Sequence, residues 1–309
     1  MVALPAMAHR DPSHQLSPAL AFGVAAAGIG LFSIMDAFMK SLVLGLGVYN
    51  ALLWRTMLSA GIGGAGWAMG GGRRPSAHAM RLHVARGTIT TGMALLFFWG
   101  LARVPMAQAI SLTYIAPLLA LLLGAVFLGE RVGARVIAAS IAALGGVGVI
   151  LLGQMRMTLG PEALGGAGAI LASAVLYAVN LVVARLQAQA ASAREIAFVQ
   201  SAVVTLLLLL AAPWLAVVPP VADWWKIAIA ATLATGSLLL LGWAYAHSET
   251  GYLATTEYTS FLYAAVLGWA VFGEHVAPTT LAGAAIIVVA CLIAARRRDV
   301  ARAAIEAAA

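Results

Sequence analysis

Long apolar runs alternate with short segments rich in charges, prolines and glycines along most of the chain. Each run is about 20 residues long, which is the length that an α-helix needs to cross roughly 30 Å of hydrocarbon. Membrane-spanning strands would instead alternate apolar and polar residues over about ten positions. The pattern therefore predicts an all-α integral membrane protein with ten transmembrane helices, at residues 18–42, 48–67, 80–102, 105–128, 132–152, 163–186, 195–215, 224–246, 251–272 and 279–295.

The composition supports this interpretation. Hydrophobic residues make up 63% of the chain and charged residues 9%, and the mean hydropathy of +0.98 indicates more apolar surface than one soluble core could bury. The first residues, MVALPAMAHRDPSHQ, are polar and broken by proline, so no signal peptide is expected and the first span should be retained. Cys291, the one cysteine, lies in an apolar run and is expected to be a small packing residue.

The basic residues are distributed unequally between the two ends of the predicted helices. If the N-terminus is cytoplasmic, 13 of the 18 lysines and arginines lie on the cytoplasmic side, four lie on the outer side and Arg55 lies within a span. Basic residues are retained preferentially in the cytoplasm during insertion, so both termini are expected there. The net charge of +7 then reflects this bias and attraction to anionic lipid head groups, and no nucleic-acid partner is expected.

Two segments of related sequence lie 144 residues apart. The first, SLTYIAPLLALLLGAVFLGE, ends at Glu130, and the second, TTEYTSFLYAAVLGWAVFGE, ends at Glu274. Five spans separate the two ends, so the copies should have opposite orientations in the membrane. Inverted copies can exchange conformations and expose a central site to alternate sides, which predicts two five-helix repeats, residues 1–153 and 154–309. The residues matched by this offset include Trp99 with Trp243, Ala102 with Ala246, Tyr114 with Tyr258, and Gly124 with Gly268.

A glycine followed by a glutamate ends both copies, at Gly129-Glu130 and at Gly273-Glu274. Glycine frees the backbone to turn at a helix end, and a carboxylate at the start of the next helix suits its positive dipole end. These pairs are therefore expected to form helical hairpins. Substrate or proton chemistry at a wet membrane boundary is the alternative.

Over essentially its whole length the chain resembles ten-helix members of the drug/metabolite transporter superfamily, of the EamA type, and in particular the YddG group of bacterial aromatic amino-acid exporters. The resemblance rests on Lys40 at the end of the first span, on Arg55 in WRTMLSAG, and on the segments VPMAQAISLTYIAPLLALLLGAVFLGE and EYTSFLYAAVLGWAVFGE. It implies a bacterial inner-membrane protein in which helices one, three, four, six, eight and nine surround a central cavity. In one departure, Pro117 of the first half corresponds to Phe261 in the second, which argues against a symmetrical kink.

The spans that the resemblance places around the cavity carry polar and aromatic side chains. Ser173, Tyr177 and Asn180 lie four and three residues apart, which puts them on one helix face that should point inward. Aromatic faces with a few hydroxyl and amide groups suit a small molecule with an apolar body and polar ends, such as an amino acid. The aromatic residues could equally lie in an interfacial belt or between helices, and the serines could bond to backbone carbonyls. The candidate substrate-binding residues are Trp99, Ser111, Tyr114, Ser173, Tyr177, Asn180, Trp243, Glu257 and Tyr258.

Charged residues within the spans are informative because an unpaired charge is costly in a bilayer. Asp36 and Arg55 lie nine to ten residues on either side of the turn expected at residues 45–46, so a tight hairpin brings them to the same depth. We expect a structural ion pair, shared with Lys40, and a gating or proton-coupling role is the alternative. Glu257 lacks a basic partner in its own span, so it is a candidate for proton coupling or for binding a substrate ammonium group. A buried structural hydrogen bond is the alternative for Glu257.

The motifs of several other function classes are missing from the sequence. No glycine-rich loop is followed by the lysine of a phosphate-binding motif, so neither an ATP site nor an ATP-hydrolysing subunit is expected. The histidines lie outside the spans or at their ends and lack a pattern such as HExxH, so no catalytic residue, metal or cofactor is expected. No arginine is evident among the cavity positions, which disfavours phosphorylated substrates.

These observations predict a secondary transporter that exports amino acids, aromatic and other apolar or neutral ones, and related small metabolites by alternating access. Transport is expected to be either facilitated diffusion or proton-coupled. The alternatives are export of another metabolite or drug, since fold does not fix substrate, and an integral-membrane enzyme. The expected partners are the small-molecule substrate and the membrane lipid.

Overall fold

The computed structural model describes residues 18–72, 74–128, 134–156, 160–247 and 255–306. Every regular element in these ranges is helical, which confirms the all-α fold class for the described part of the chain. The α-helices are α1 (Pro18–Met69), α2 (Ala77–Leu101), α3 (Met106–Thr113), α4 (Ala116–Leu128), α5 (Ala134–Arg156), α6 (Gly160–Ala190), α7 (Ala193–Leu209), α8 (Ala212–Leu215), α9 (Trp224–His247), α10 (Thr259–Phe272) and α11 (Pro278–Glu306). The short 3-10 helices are Val221–Asp223, before α9, and Thr255–Tyr258, before α10.

Several of the described helical segments suit a bilayer. The segments that are both long and apolar enough to cross it are Leu20–Met69, Ala77–Leu101, Glu162–Ala184 and Val221–Ala244. The shorter apolar segments are Met106–Ala120, Ile137–Gly153 and Pro278–Ala290. The first segment contains 50 residues, about 75 Å of straight helix at 1.5 Å per residue, which is enough for two crossings. Many large apolar side chains are exposed on the helices, as expected where lipid is the neighbouring solvent.

Gly47 divides α1 into two arms, residues 18–46 and 48–69. Its backbone dihedral angles, φ 76° and ψ 159°, lie in a region that only glycine adopts readily. The second arm folds back on the first, because Arg55 Nη1 returns to within 3.9 Å of Met35 Sδ. The predicted hairpin between the first two spans is therefore confirmed, with its turn slightly beyond the expected position.

The predicted span at residues 105–128 is interrupted between α3 and α4. Pro117 has no backbone N–H, so it cannot donate to the carbonyl oxygen of Thr113, four residues earlier, as a regular helix requires. The Thr113 hydroxyl donates to the carbonyl oxygen of Ile110 at 2.7 Å. Tyr114 follows α3 directly, and it therefore lies at an interruption of the helix.

The matching region of the second half is also irregular, although Phe261 stands in place of the proline. The turn Thr255–Tyr258 is a 3-10 helix, and the α-helix begins only at Thr259. The Ser260 hydroxyl donates to the carbonyl oxygen of Glu257 at 2.6 Å, and such local side-chain bonds compete with helical backbone bonds. The argument from the missing proline against a symmetrical kink is therefore corrected, because both halves are irregular at this position.

The helices pack in pairs. Helix α9 lies along α1, α2 along α6, α7 along α1, α10 along α3, and α11 along α5. Glycines allow close approach, since an added Cβ at Gly146 of α5 would lie 2.8 Å from the carbonyl oxygen of Gly283 in α11. A buried apolar core runs between the pairs and includes Leu42, Leu112 and Ile170.

The bundle has two ends, which we name after Gly47 and Ala77. The Gly47 end contains the turn of α1, the α2–α3 connection and the α7–α9 connection, whose Val217 carbonyl oxygen accepts from Trp54 Nε1 at 2.9 Å. The Ala77 end contains the α1–α2 and α6–α7 connections. Polar side chains gather at both ends and at the helix interruptions between them.

Candidate functional site

An ion pair between Lys40 and Glu274 joins α1 to the chain beyond α10 at the Gly47 end. Lys40 Nζ also donates to the carbonyl oxygen of Val104 at 2.7 Å, and Glu274 Oε2 accepts from the backbone N–H of Met106 at 2.7 Å. The Lys40 and Glu274 side chains are only 5% and 18% exposed. These four residues, which we call the Lys40 cluster, tie α1, the start of α3 and the end of α10 together.

Local backbone geometry places Glu274 in this cluster. Gly273 ends α10 in the left-handed region with φ 65°, which glycine tolerates. The Glu274 carboxylate then meets the first N–H of α3, where the helix dipole is positive, and the Phe272 ring lies 5.2 Å from Lys40 Nζ. The turn expected at Gly273 is confirmed, but Glu274 caps a helix of the other half and not the helix that follows it, which corrects its expected position at the start of the next helix. The matched Glu130 lies outside the described residues.

Asp36 and Arg55 lie in the two arms of α1, and their opposite charges act on each other. The ion pairs found among the described residues, with N–O distances up to 4.0 Å, do not include them. The guanidinium carbon of Arg55 is 5.9 Å from the Phe98 ring centroid, and its buried Nε has no hydrogen-bond partner. Asp36 and Arg55 therefore do not form the expected direct ion pair; they attract each other over a longer distance. Lys40, expected to share that pair, bonds to Glu274 instead.

Tyr114 and Tyr258, which the 144-residue offset matches, meet where the two helices are interrupted. Their rings pack edge to face with centroids 5.3 Å apart. The Tyr114 hydroxyl is within donating distance of three acceptors, 2.8 Å from Ser260 Oγ, 3.2 Å from the carbonyl oxygen of Tyr258 and 3.5 Å from that of Glu257. Three predicted site residues, Tyr114, Tyr258 and Glu257, therefore lie together at the seam between the two halves.

Arg86 of α2 points toward α6 at the Ala77 end. Its Nε donates to Asn180 Oδ1 at 3.1 Å, and its Nη1 donates to Gln187 Oε1 at 2.5 Å. The Thr90 hydroxyl also donates to Asn180 Oδ1, at 3.3 Å. Asn180, a predicted site residue, therefore faces another helix of the bundle and accepts hydrogen bonds from an arginine and a threonine.

The same network extends from α6 to α7 through His83. Gln187 Nε2 lies 2.6 Å from His83 Nδ1, and His83 Nε2 lies 3.0 Å from Glu195 Oε1. Because the Gln187 amide group donates to Nδ1, the ring proton is on Nε2 and is donated to Glu195. His83 and Gln187 are both fully buried. We call Arg86, His83, Asn180, Gln187 and Glu195 the Arg86 network.

Arg86 and His83 are not among the predicted site residues, because a basic residue near the end of a span usually contacts water or lipid head groups. A spacing signal is nevertheless present in the sequence. His83, Arg86 and Thr90 lie three and four residues apart on one face of α2, and Asn180 and Gln187 lie two turns apart on α6. The expectation that no arginine lies among the cavity positions stays a prediction, although Arg86 lies on a helix that the resemblance places around the cavity.

The predicted serines make hydrogen bonds to backbone carbonyls. Ser111 Oγ donates to the carbonyl oxygen of Ala107 at 2.6 Å within its own helix. Ser173 Oγ donates to the carbonyl oxygen of Met93 at 2.9 Å, from α6 to α2. Both bonds match the structural alternative for these residues. Tyr177 is partly buried against the apolar core.

The two matched tryptophans occupy packing positions. Trp99 is 39% exposed, and the guanidinium carbon of Arg103 lies 3.7 Å from its ring centroid. Trp243 packs on a small cluster of buried alanines in α1 and α9. Both positions fit the alternative of an interfacial or packing role.

A cavity of about 410 Å³ lies beside the Arg86 network at the Ala77 end. Its walls come from the start of α2 and the end of α6 and consist of Ser76, His78, Leu82, Leu186, Gln189 and Ala190. Leu82 lies four residues before Arg86, one turn away on the same face of α2. The volume lies within the range of small-molecule sites. In the part of the chain that the structure describes, no group of three or more His, Cys, Asp or Glu residues is placed to hold a metal ion.

Comparison with known protein families shows which family the chain belongs to. The sequence model of the EamA-like transporter family matches it twice, at residues 19–152 and again at residues 164–296. The chain belongs to the EamA-like transporter family. As a member of this family it is a transporter and a multi-pass membrane protein, which confirms the resemblance noted in the sequence.

This EamA-like transporter has exporters among its relatives. The Pseudopaline exporter CntI of Pseudomonas aeruginosa, from strain UCBPP-PA14 and from strain PAO1, is 29% identical over 227 residues, which is 70% of this chain and 75% of the relative. A solved structure described only as the crystal structure of a protein matches with a TM-score of 0.61 and 20% sequence identity, over 90% of this chain and 98% of that chain. The likeness to that structure shows a shared fold.

Proposed function

We propose that this transporter exports neutral amino acids, aromatic ones among them, and related small metabolites from the cytoplasm by alternating access. The observation that carries the proposal is the meeting of Tyr114 and Tyr258 at two matched helix interruptions. Interrupted helices at a repeat interface are typical of substrate sites in secondary transporters. Aromatic faces, hydroxyl groups and the neighbouring Glu257 suit a molecule with an apolar body and polar ends.

The proposal includes ten membrane crossings in two inverted repeats, residues 1–153 and 154–309. The hairpin at Gly47 provides two crossings, and α3 with α4 provides one interrupted crossing. The helix pairs support a twofold relation between the repeats, because exchange of the repeats converts the pairing of α1 with α9 into the pairing of α6 with α2. The same exchange leaves three pairs unchanged, because it swaps the two partners of each: α3 with α10, α5 with α11, and α7 with the second arm of α1. An inverted twofold arrangement produces this pattern.

The Lys40 cluster is the proposed gate on the outer side. It joins residues of the first repeat to Glu274 of the second, so it has to separate when the Gly47 end opens. The excess of basic residues at the opposite end supports a cytoplasmic position for the Ala77 end and for both termini. The 410 Å³ cavity also lies at the Ala77 end. We therefore assign the described arrangement to a transporter that is closed to the outside of the bacterial inner membrane.

Transport is proposed to be driven by the gradient of the substrate or by proton exchange, without an ATP-hydrolysing subunit. Glu257 lies in the 3-10 turn that ends at Tyr258, which makes its carboxylate the candidate for proton coupling or for binding a substrate ammonium group. The name of the Pseudopaline exporter supports the direction of transport. The substrate in that name also favours a second candidate, export of a different small metabolite on the same fold.

Uptake of labelled phenylalanine, threonine and methionine into proteoliposomes tests the proposal, with and without an imposed pH gradient. We expect saturable flux of at least one amino acid above that of protein-free liposomes. Flux that follows the pH gradient in the wild type, and loses this dependence in Glu257→Gln, assigns proton coupling to Glu257. Glu162→Gln is the matched control, because it removes a carboxylate that is 83% exposed.

The same assay separates the candidate functions. Flux that ignores the pH gradient indicates facilitated diffusion, with export set by the concentrations in the cell. Flux of pseudopaline without flux of any amino acid would contradict the amino-acid assignment and favour the second candidate.

A further inference from the structure

Arg86 carries a charge that no contacting acidic side chain balances. The ion pairs among the described residues do not include Arg86, and its hydrogen bonds go to the neutral amide oxygens of Asn180 and Gln187. Glu195, the acid of the same network, is connected to Arg86 only through His83 and Gln187. A cation within a membrane helix bundle is costly unless a negative charge compensates it. Arg86 therefore lacks a counter-charge in direct contact, because the one acid of the network, Glu195, is bonded to His83.

Two other basic residues that point into the bundle differ from Arg86 in this respect. Lys40 pairs directly with the Glu274 carboxylate. Arg55 is attracted by Asp36, which lies in the other arm of the same hairpin. An acid supplied by the protein thus accompanies each of these two cations. No acidic side chain of the described residues contacts Arg86, so the carboxylate of a ligand can take that position.

The guanidinium group of Arg86 has donors left for a ligand. Arginine carries five N–H donors, and the hydrogen bonds to described residues use only Nε and Nη1. Nη2 is not among the buried polar atoms that lack a partner, so a ligand atom can reach it. Arginine binds a carboxylate through two parallel N–H···O bonds, a geometry that lysine does not provide.

The acceptors that orient Arg86 are themselves held in place. Gln187 is buried and bonded to His83, and the Thr90 hydroxyl, which donates to Asn180, accepts from Gln200 Nε2 at 2.6 Å. Such supporting bonds fix a side chain before the ligand arrives, which reduces the entropy lost on binding.

The cavity at the Ala77 end gives a ligand room next to this cation. Helices α2 and α6 supply both the cavity walls and the Arg86 network, and the wall residue Leu82 lies one helical turn from Arg86 on the same face of α2. A volume of about 410 Å³ accommodates a molecule of amino-acid size.

We propose that Arg86 binds the carboxylate of the transported substrate at the Ala77 end, so that the recognised class is amino acids and other small carboxylates. This inference rests on the proposed transport function and adds the group that the site selects. The substrate carboxylate supplies the missing counter-charge. Amines and amides of the same shape lack it, and they should bind weakly.

Calorimetric titration of the purified full-length protein with three ligands tests the inference. The ligands are phenylalanine, 3-phenylpropionate, which keeps the carboxylate but lacks the ammonium group, and phenylalaninamide, which lacks the carboxylate. We expect the wild type to bind 3-phenylpropionate about 10-fold or more tightly than phenylalaninamide. Arg86→Gln should weaken binding of the two carboxylates by about 10- to 100-fold and leave the amide unchanged. Arg103→Gln, which removes the same charge at the Gly47 end, is the matched control and should retain the wild-type preference.

Each outcome decides the inference. Equal affinity of the wild type for acid and amide, or an unchanged preference in Arg86→Gln, overturns it. If Arg86→Gln does not fold, Arg86→Lys decides, since a reduced preference supports the inference and an unchanged preference overturns it. Failure of the proposed function gives a different result, because the wild type then binds none of the three ligands, and the inference fails with it.

Discussion

The Gly47 end and the Ala77 end of the bundle are joined by different kinds of polar contact. At the Gly47 end Lys40 meets Glu274 directly, and each of the two charges has a second partner in the backbone. At the Ala77 end Arg86 meets only amide oxygens, and the carboxylate of Glu195 is bonded to His83. The first end holds a direct ion pair, whereas at the second end the cation and the carboxylate of the same network are not in contact.

This difference separates two tasks. A buried ion pair is stable only while both partners remain, because separation leaves each charge uncompensated in a medium of low polarity. Such a contact is either made or broken, which suits a gate. A guanidinium group without a counter-charge is instead stabilised by an incoming carboxylate, which suits a ligand site. At the Gly47 end the second half of the protein supplies the carboxylate that pairs with Lys40. At the Ala77 end the proposed substrate supplies the carboxylate that binds Arg86.

Loss of one partner of the Lys40–Glu274 pair should have the largest effect. Lys40→Gln leaves the Glu274 carboxylate without its counter-charge, so we expect a loss of about 3–5 kcal/mol in the free energy of unfolding, together with loss of transport. The double variant Lys40→Gln/Glu274→Gln should recover part of this stability, because two neutral amides leave no buried charge. Thermal unfolding in detergent and liposome flux measure both quantities. If Lys40→Gln is as stable as the wild type, the proposed difference between the ion pair at the Gly47 end and the Arg86 network does not hold.

Loss of one amide from the Arg86 network should have a smaller effect, because Arg86 keeps its other acceptor. Gln187→Ala removes one acceptor from Arg86 and one donor from His83, so we expect a loss of about 1–3 kcal/mol in the free energy of unfolding. Gln189→Ala, at an exposed position of the same helix, is the matched control and should unfold like the wild type. If Gln187→Ala costs as much stability as Lys40→Gln, the proposed contrast fails.

Loss of a hydroxyl from the Tyr114–Tyr258 contact, which lies between the two ends, should cost still less stability but should reduce transport. Tyr114→Phe removes the hydroxyl that lies near Ser260 and the Tyr258 carbonyl, so we expect a loss of about 1 kcal/mol and a lower rate of flux. Tyr49→Phe is the control, because its hydroxyl donates to the Leu208 carbonyl oxygen at 2.7 Å at the Gly47 end. It should lose similar stability but keep the flux. Equal flux in the two variants would mean that the seam plays no special part in transport.

The equivalence of repeated positions and the α1 hairpin could be predicted from the sequence, whereas contacts between distant helices could not. The 144-residue offset pairs Tyr114 with Tyr258, and the spacing of the apolar runs predicts the α1 hairpin. Lys40 and Glu274 are 234 residues apart and are not related by that offset, so no local pattern joins them. The direction of Arg86 depends on which helix packs against α2, and lipid offers no polarity contrast that marks the packed face.

The smallest effect is expected for an ion pair that lies at the surface. Arg103 Nε and Glu162 Oε2 are 4.0 Å apart, and the two side chains are 29% and 83% exposed. Water and salt screen such a pair, and fixing two mobile side chains costs entropy. Glu162→Gln should therefore leave the thermal unfolding midpoint unchanged at low and at high ionic strength, whereas Glu274→Gln lowers it under both conditions. If Glu162→Gln measurably lowers the thermal unfolding midpoint, then pairing alone, and not burial, determines how much an ion pair at the Gly47 end contributes to stability.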